Sequence, residues 1–445
     1  MLSYGTITSA MFNAASRYIK MRASIYFTET PVSVTSEDYI TSLDITEECL
    51  SESITFEGTV IANMLTLKLS AIDKRFSPHN TAGPYYGLIK GGVKIVVEAQ
   101  PVATGVTHWV ALGTFYVSEW VTDDLGFNSS ITCFDLTSSL STKVLDAMGV
   151  ETAVTQSAYL DSIMTAIGIS SYTVSITKNI NLVYAFPTDS DWTRTLDKIL
   201  SASVAFFNIS RTEVAVMKSL SNADAVVATI TDADQIQTIT TRQTIKKPYI
   251  GCSLTYVNPV AMPAETLVKI NEVEIAGNDS VTKIYEYSNR PARYLDSVCV
   301  FSSEGTTAPV VLAAGNKNIN LKLENTGATA DTIKEVRVIG EYIDLPEVSS
   351  AEATDKIAIK SEYLHTEADV AWYTDKVDAF ILEPNKFITV KARGNLLFEL
   401  GDKIQINSTR YAISFTGILI KATYMYGGAL SAEYVFLNVT TLGAV

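Results

Sequence analysis

Between residues 21 and 136 apolar and polar positions alternate or run apolar over short stretches. "RASIYFTE", "ANMLTLKLS", "GVKIVVEA", "GTFYVSEWV" and "SSITCFDL" are separated by Gly, Pro, Ser and Asp. Such a pattern predicts half-buried strands joined by turns. In "VALGTFYVSEW", Val110, Leu112, Tyr116 and Trp120 fall on one face. The period changes after residue 140. Leu160, Ile163, Met164 and Ile167 follow helical spacing, with Ser157 as the expected N-cap and Gly168 as the stop. Trp192, Leu196, Ile199 and Leu200 repeat that spacing after "PTDSD". The two helices flank the strand-like "SYTVSITKNINLVYAF", and "VAFFNISRTEVAVM" reads as a hairpin. Strands return from residue 236, with "PYIGCSLTYV", "NINLKLENTG" and "IKEVRVIGEYI". "LPEVSSAEATDK" (345–356) reads as a linker, and one more helix is expected around "TEADVAWYTDKVDAFI".

Two stretches of the chain share an order of elements. "LIKGGVKIVVEA", "LGTFYVSEWV" and "SSITCFDL" in the first correspond to "LFELGDKIQINS", "FTGILIKATYMY" and "LSAEYVFL" in the second. Each begins with a Gly-containing turn and a Lys, continues with a Gly-led long strand, and closes with a third strand. Aligning Gly113 with Gly417 leaves 19 residues from Lys94 in one copy and 14 from Lys403 in the other, a loop-sized difference. Gly427-Gly428 is a two-residue hairpin signal.

The fold class expected from these patterns is mainly β with a small α+β unit, two similar β-barrels and an inserted β domain. The expected boundaries are an N-terminal helix or arm at 1–20, a first barrel at 21–140 and an α+β unit at 141–235. Strands at 236–258 complete the second barrel, 259–350 is the inserted domain, and 351–445 is the second barrel. Closure would remove most exposed strand edges.

Composition narrows the function. The 445 residues are 47% apolar and 18% charged, with a formal net charge of −14. That balance opposes a protein that wraps nucleic acid, because such binding needs clustered Lys and Arg. No window approaches 18 consecutive apolar residues, so no membrane span is expected. The N-terminus has no positive charge ahead of an apolar block and does not read as a signal peptide. Cys49, Cys133, Cys252 and Cys299 are far apart and form no CxxC pair, which predicts buried thiols.

Candidate chemistry is sparse. His79, His108 and His365 have no His or Cys partner at ligand spacing, and there is no Walker loop, G-x-S-x-G or strand-linked G-x-G-x-x-G. "HTEAD" (365–369) reads as a solvated helix start, and Asp123-Asp124 as a turn. Gly401-Asp402 sets a carboxylate at the mouth of an apolar run, yet it aligns with Gly92-Val93, where there is no acid. A turn role for Asp402 follows, with Gly supplying backbone freedom and Asp a local hydrogen bond. No catalytic, cofactor-binding or metal residue is assigned, and no cofactor is expected. The 22 tyrosines, among them Tyr116, Tyr256, Tyr424, Tyr426 and Tyr434, suit either sheet faces or interfaces.

At this point a family resemblance emerges. "HWVALGTFYVSEWVTDDLGFNSSITCFDLTSSL", the following "STKVLDAMG", "DSDWTRTLDKILSASVAFFNISRTEVAV" and "ARGNLLFELGDKIQI…GILIKATYMYGGALSAEYVFLN" resemble baseplate or tail-tip hub proteins of tailed bacteriophages. The resemblance implies a non-enzymatic structural virion protein, a homotrimer closing the distal end of the tail tube. Three chains with two barrels each would meet a sixfold tube ring. Implied partners are the tail tube, distal tail or baseplate proteins, the tape measure protein and a central spike or fibre, with phage DNA passing unbound. Implied localisation is the virion tail tip, after assembly in the host cytoplasm. The alternatives are the hub of a phage-derived injection or secretion apparatus, or a tail-tip cell-wall-binding or hydrolase protein.

Overall fold

The structure, a computed structural model, describes residues 7–442 except 15–16, 54, 104, 124, 141–144, 146–147, 190, 235, 243–248, 288–290, 350–354 and 384–385. Most of "STKVLDAMG" and part of the expected 345–356 linker therefore lie outside the described residues, as does part of the N-terminal arm. Of that arm, Ser9–Asn13 is helical.

Seven strands form the first unit: β1 (Ile19–Tyr26), β2 (Val32–Thr35), β3 (Ile40–Glu48), β4 (Met64–Ser70), β5 (Lys94–Pro101), β6 (Val110–Thr122) and β7 (Asn128–Phe134). They pair in the order β2-β1-β5-β6-β7-β4-β3. Flat, such a sheet would set its end strands about 29 Å apart. Residues 36–39 alone join β2 to β3 and reach at most about 18 Å. The sheet must curl, burying Met21, Ile45, Leu67, Val97, Phe115 and Ile131 inside.

The second unit has six strands: β8 (Ala228–Thr231), β9 (Thr238–Arg242), β10 (Phe387–Ala392), β11 (Lys403–Ser408), β12 (Ile413–Tyr426) and β13 (Leu430–Asn438). Their order is β8-β11-β12-β13-β10-β9. The two units match bond for bond. Gly92 N–H donates to Val117 O (2.7 Å) and Val117 N–H to Val93 O (2.9 Å); Gly401 N–H donates to Leu419 O (2.8 Å) and Leu419 N–H to Asp402 O (2.9 Å). Lys94 faces Tyr116, and Lys403 faces Ile418. A bulge interrupts β6 between Val117 and Glu119, and β12 at the corresponding place between Leu419 and Lys421. Gly113 and Gly417, however, are not equivalent. Gly417 faces Ile404, and its counterpart opposite Ile95 is Phe115. A two-residue offset in the strand is invisible when glycines alone set the alignment.

Barrel closure differs from the expectation. Among the described residues neither unit has a hydrogen-bonded closing seam; instead β12 pairs with β3, and both units run together as one 13-stranded sheet. Only part of the 236–258 stretch joins the second unit. β9 pairs with β10, whereas Gly251–Val257 pairs with Lys356–Ser361 in parallel and with Glu347–Ser349. Asp378 accepts a hydrogen bond from Cys252 N–H at 2.7 Å and ties that strand to a helix, α3 (Glu367–Leu382). An apolar strand pattern does not name its partner, which explains the difference. The hairpin at Gly427-Gly428 uses a third residue, Ala429, since Tyr426 pairs with Leu430.

Between the units lie α1 (Gln156–Ile167) and α2 (Trp192–Ala202). Thr155 rather than Ser157 caps α1, accepting from Ala158 N–H, and Gly168 ends it in the left-handed region. Asp191 caps α2. Residues 205–209 and 215–219 form the expected hairpin. Residues 260–344 supply two further three-stranded sheets around a separate core with Leu321, Leu323, Val336 and Val338. Cys49, Cys133 and Cys252 are buried free thiols, while Cys299 is half-buried.

The paired turns give a test. Gly92 and Gly401 share a positive φ of 79° and 82°. A Cβ at Gly92 would meet nothing within 4 Å, but at Gly401 it would lie 2.9 Å from Phe206 Cζ. Gly92→Ala should cost about 1 kcal/mol from backbone strain alone. Gly401→Ala should cost more, by roughly 1 kcal/mol or above for overpacking. Denaturant unfolding of the two variants measures the difference.

Candidate assembly interface

The seam between the units is built from one edge of β12. Its first half pairs with β11, and its second half, Lys421 to Tyr426, pairs antiparallel with Glu48 to Leu43 of β3. Side chains alternate across this seam. Leu43, Ile45, Tyr424 and Tyr426 point into the core, whereas Asp44, Thr46, Glu48, Lys421 and Thr423 share the opposite face. On that face Lys421 and Glu48 pair at 2.8 Å, and the Thr46 and Thr423 hydroxyls lie 3.4 Å apart.

Beneath the seam sits a buried ion pair. Arg211, at the tip of the 205–219 hairpin, donates from Nε and Nη2 to the two oxygens of Glu47, each at 2.7 Å. It also donates to the carbonyls of Leu396 and Phe398 and to Tyr424 Oη. Arg211 is 7% exposed and Glu47 6%. Burial alone would lower the guanidinium pKa, but the Glu47 carboxylate outweighs it and holds the group well above its ordinary value. Two residues on, Glu213 takes a left-handed φ of 60° and reaches the first unit, accepting from Lys94 Nζ (2.7 Å) and Tyr116 Oη (2.8 Å). One hairpin tip therefore holds both units.

The face opposite the core runs continuously across the seam. In register across β13, β12, β3, β4, β7 and β6 stand Ser431, Met425, Asp44, Thr66, Thr132 and Glu119. Lys391 and Glu433 pair on the same face at 2.8 Å. It is a surface mainly of hydroxyls and matched charges, interrupted by Met64, Val121 and Met425.

Residues singled out in the sequence do not assemble into a reaction centre. Asp402 is only 8% exposed, not at the open surface. Its carboxylate accepts from Glu399 N–H at 2.9 Å while its own N–H donates to Glu399 O at 3.1 Å, closing the turn ahead of β11. His365 and Asp369 are buried rather than solvated. His365 Nδ1 accepts from Val183 N–H, and Asp369 pairs with Lys178 at 2.6 Å and with the Thr366 cap of α3. Burial holds the His365 pKa below its usual value. His79 and His108 are exposed, and Asp123 bonds its own turn at Phe127 and Asn128; Asp124 lies outside the described residues. Tyr424 and Tyr434 are core residues with bonded hydroxyls. No cluster of three or more metal-ligating side chains occurs among the described residues. Among the same residues no helix is long and apolar enough to cross a membrane. Sequence reasoning passed over Arg211 and Glu47, which are 164 residues apart and carry no local signal.

Two outcomes follow. Arg211→Met should destabilise the fold by roughly 3–5 kcal/mol, because it leaves the Glu47 charge buried without a partner, and Arg211→Met with Glu47→Leu should recover much of that loss. Asp402→Ala should cost about 1–3 kcal/mol through the orphaned Glu399 N–H, whereas Asp402→Asn retains an acceptor and should cost less. Equilibrium unfolding of the four variants decides both.

No protein-family model matches the chain, and no curated protein matches it in sequence. Solved structures do. The tail protein from Neisseria meningitidis MC58 aligns over 95% of this chain and 98% of its own, with a TM-score of 0.53 at 9% identity. The 43 kDa tail protein of prophage MuSo2 from Shewanella oneidensis aligns over 96% of this chain and 100% of its own, with a TM-score of 0.52 at 9% identity. At that identity what is shared is architecture, and it is shared from end to end: the chain has the fold of these phage tail proteins.

Proposed function

We propose that the protein is a structural component of a phage tail, a trimeric hub that closes the tail tube and joins its sixfold ring to a threefold tip. The carrying observation is the fused pair of equivalent units, matched turn for turn and joined edge to edge. A chain with two like units presents six like positions when three copies form a ring, which is the count a sixfold tube ring requires.

In this reading the outer face of β3, β4, β6, β7, β10, β12 and β13 lines the bore, and the tube, tape measure and spike or fibre proteins are the neighbours. Its charged residues are Asp44, Glu48, Glu119 and Glu433 against Lys68, Lys391 and Lys421. Acids exceed bases by one, and two Lys–Glu pairs neutralise four of these groups. Such a wall neither holds phosphates through counterion release nor repels them strongly.

The purified chain should have a solution mass near three times its 48.4 kDa; a monomer at all concentrations would remove the hub reading. In assembled particles, Asp44→Lys with Glu119→Lys should slow DNA ejection, and added salt should relieve the defect by screening. Ejection indifferent to both substitutions would take this face out of the bore.

A further inference from the structure

The equivalence of the units assigns a partner to two strand edges that one chain leaves unpaired. β6 corresponds to β12: their bulges coincide, so Glu119 matches Lys421 and Val121 matches Thr423. The match extends to the neighbouring strands. Met64 and Phe387 occupy equivalent places opposite Phe134 and Leu437, and Lys68 and Lys391 do so opposite Ser130 and Glu433. It follows that β9 corresponds to β3, with Arg242 in the place of Thr46 and Ile239 in that of Leu43.

Within one chain β3 pairs with the second half of β12. Their counterparts have no such neighbour among the described residues. Among the described residues, Glu119–Thr122 of β6 pair only with β7, and β9 pairs only with β10. Both edges are open. Val121 is 51% exposed and Thr241 is exposed, whereas Ile45, at the place on β3 equivalent to Thr241, is 1% exposed. An unpaired edge is a template for another strand.

We propose that the second half of β6 in one copy pairs antiparallel with β9 of a second copy, repeating between chains the seam that β3 and β12 make within one. The register is set by equivalence. Thr46 faces Thr423 in the chain, so Arg242 of one copy faces Val121 of the next, and Thr241 faces Thr122. Each copy offers one edge of each kind, so the contact is head-to-tail and propagates around a ring. This inference rests on the ring assembly proposed above, and supplies its joint.

Engineered disulfides test it on the full chain. The equivalent threonine hydroxyls lie 3.4 Å apart on an accessible face, a separation that suits a disulfide between paired strands. In a Cys299→Ser background, Val121→Cys with Arg242→Cys should, on oxidation, shift the chain from one mass to covalent dimers and trimers, and reduction should reverse the shift. Val121→Cys with Thr241→Cys is slipped by one residue, sets the thiols on opposite faces, and should leave single chains. Native mass before oxidation separates the two levels of the claim. An oligomer that yields no cross-link in the first variant, or equal cross-linking in both, overturns the edge pairing and leaves the hub reading standing. A monomer before oxidation overturns both.

Discussion

The backbone seam between β3 and β12 is the constraint on which the rest of the molecule depends. Six consecutive residue pairs bind residues 43–48 to residues 421–426, so the first strands of the chain cannot complete their sheet until nearly its last strands are present. Everything between must fold into a loop that returns to this line. The α+β unit and the 260–344 sheets are thus carried on a closed frame, not strung along a thread. Arg211 adds a directional element. A buried guanidinium with five acceptors is costly to displace, and it fixes the hairpin tip against the seam while Glu213, across the same turn, engages the first unit.

The two units are not copies in detail, and the differences fall where the seam requires them. At the intrachain joint the core face is Leu43, Ile45, Tyr424 and Tyr426, all buried. At the open edges the corresponding positions include Ile239, Thr241 and Thr122, more polar and more exposed. A permanent joint within a chain tolerates a buried, largely apolar face; an edge that meets water before assembly does not, since exposed apolar edges aggregate. The opposite face is mostly polar, and it passes as one continuous surface from unit to unit.

Asp402 shows how far a local motif can be read. The comparison with Gly92-Val93 separated the shared turn from the unshared carboxylate, and the structure gives both turns the same hydrogen bonds. Its burial was not legible. Phe206 of the α+β unit packs on Gly401, and that contact comes from a residue nearly 200 positions away in the chain. The same holds for His365 and Asp369, which look solvated in sequence and are covered by residues 178–183.

What the sequence determined by itself was local: period-two strands, period-3.6 helices, the Gly168 stop and the order of elements that betrayed the repeat. These depend on neighbours two to four residues apart, and the chain carries that information directly. Partner choice belonged to the tertiary structure alone. A strand pattern states that one face is buried and is silent about which edge meets which, so Gly251–Val257 could be recognised as a strand but not assigned to Lys356–Ser361, and two closed barrels were expected where one 13-stranded sheet forms. The Arg211–Glu47 pair was equally out of reach, because a buried charge is tolerable only where a distant chain segment supplies its counter-charge, and that proximity is created by the fold.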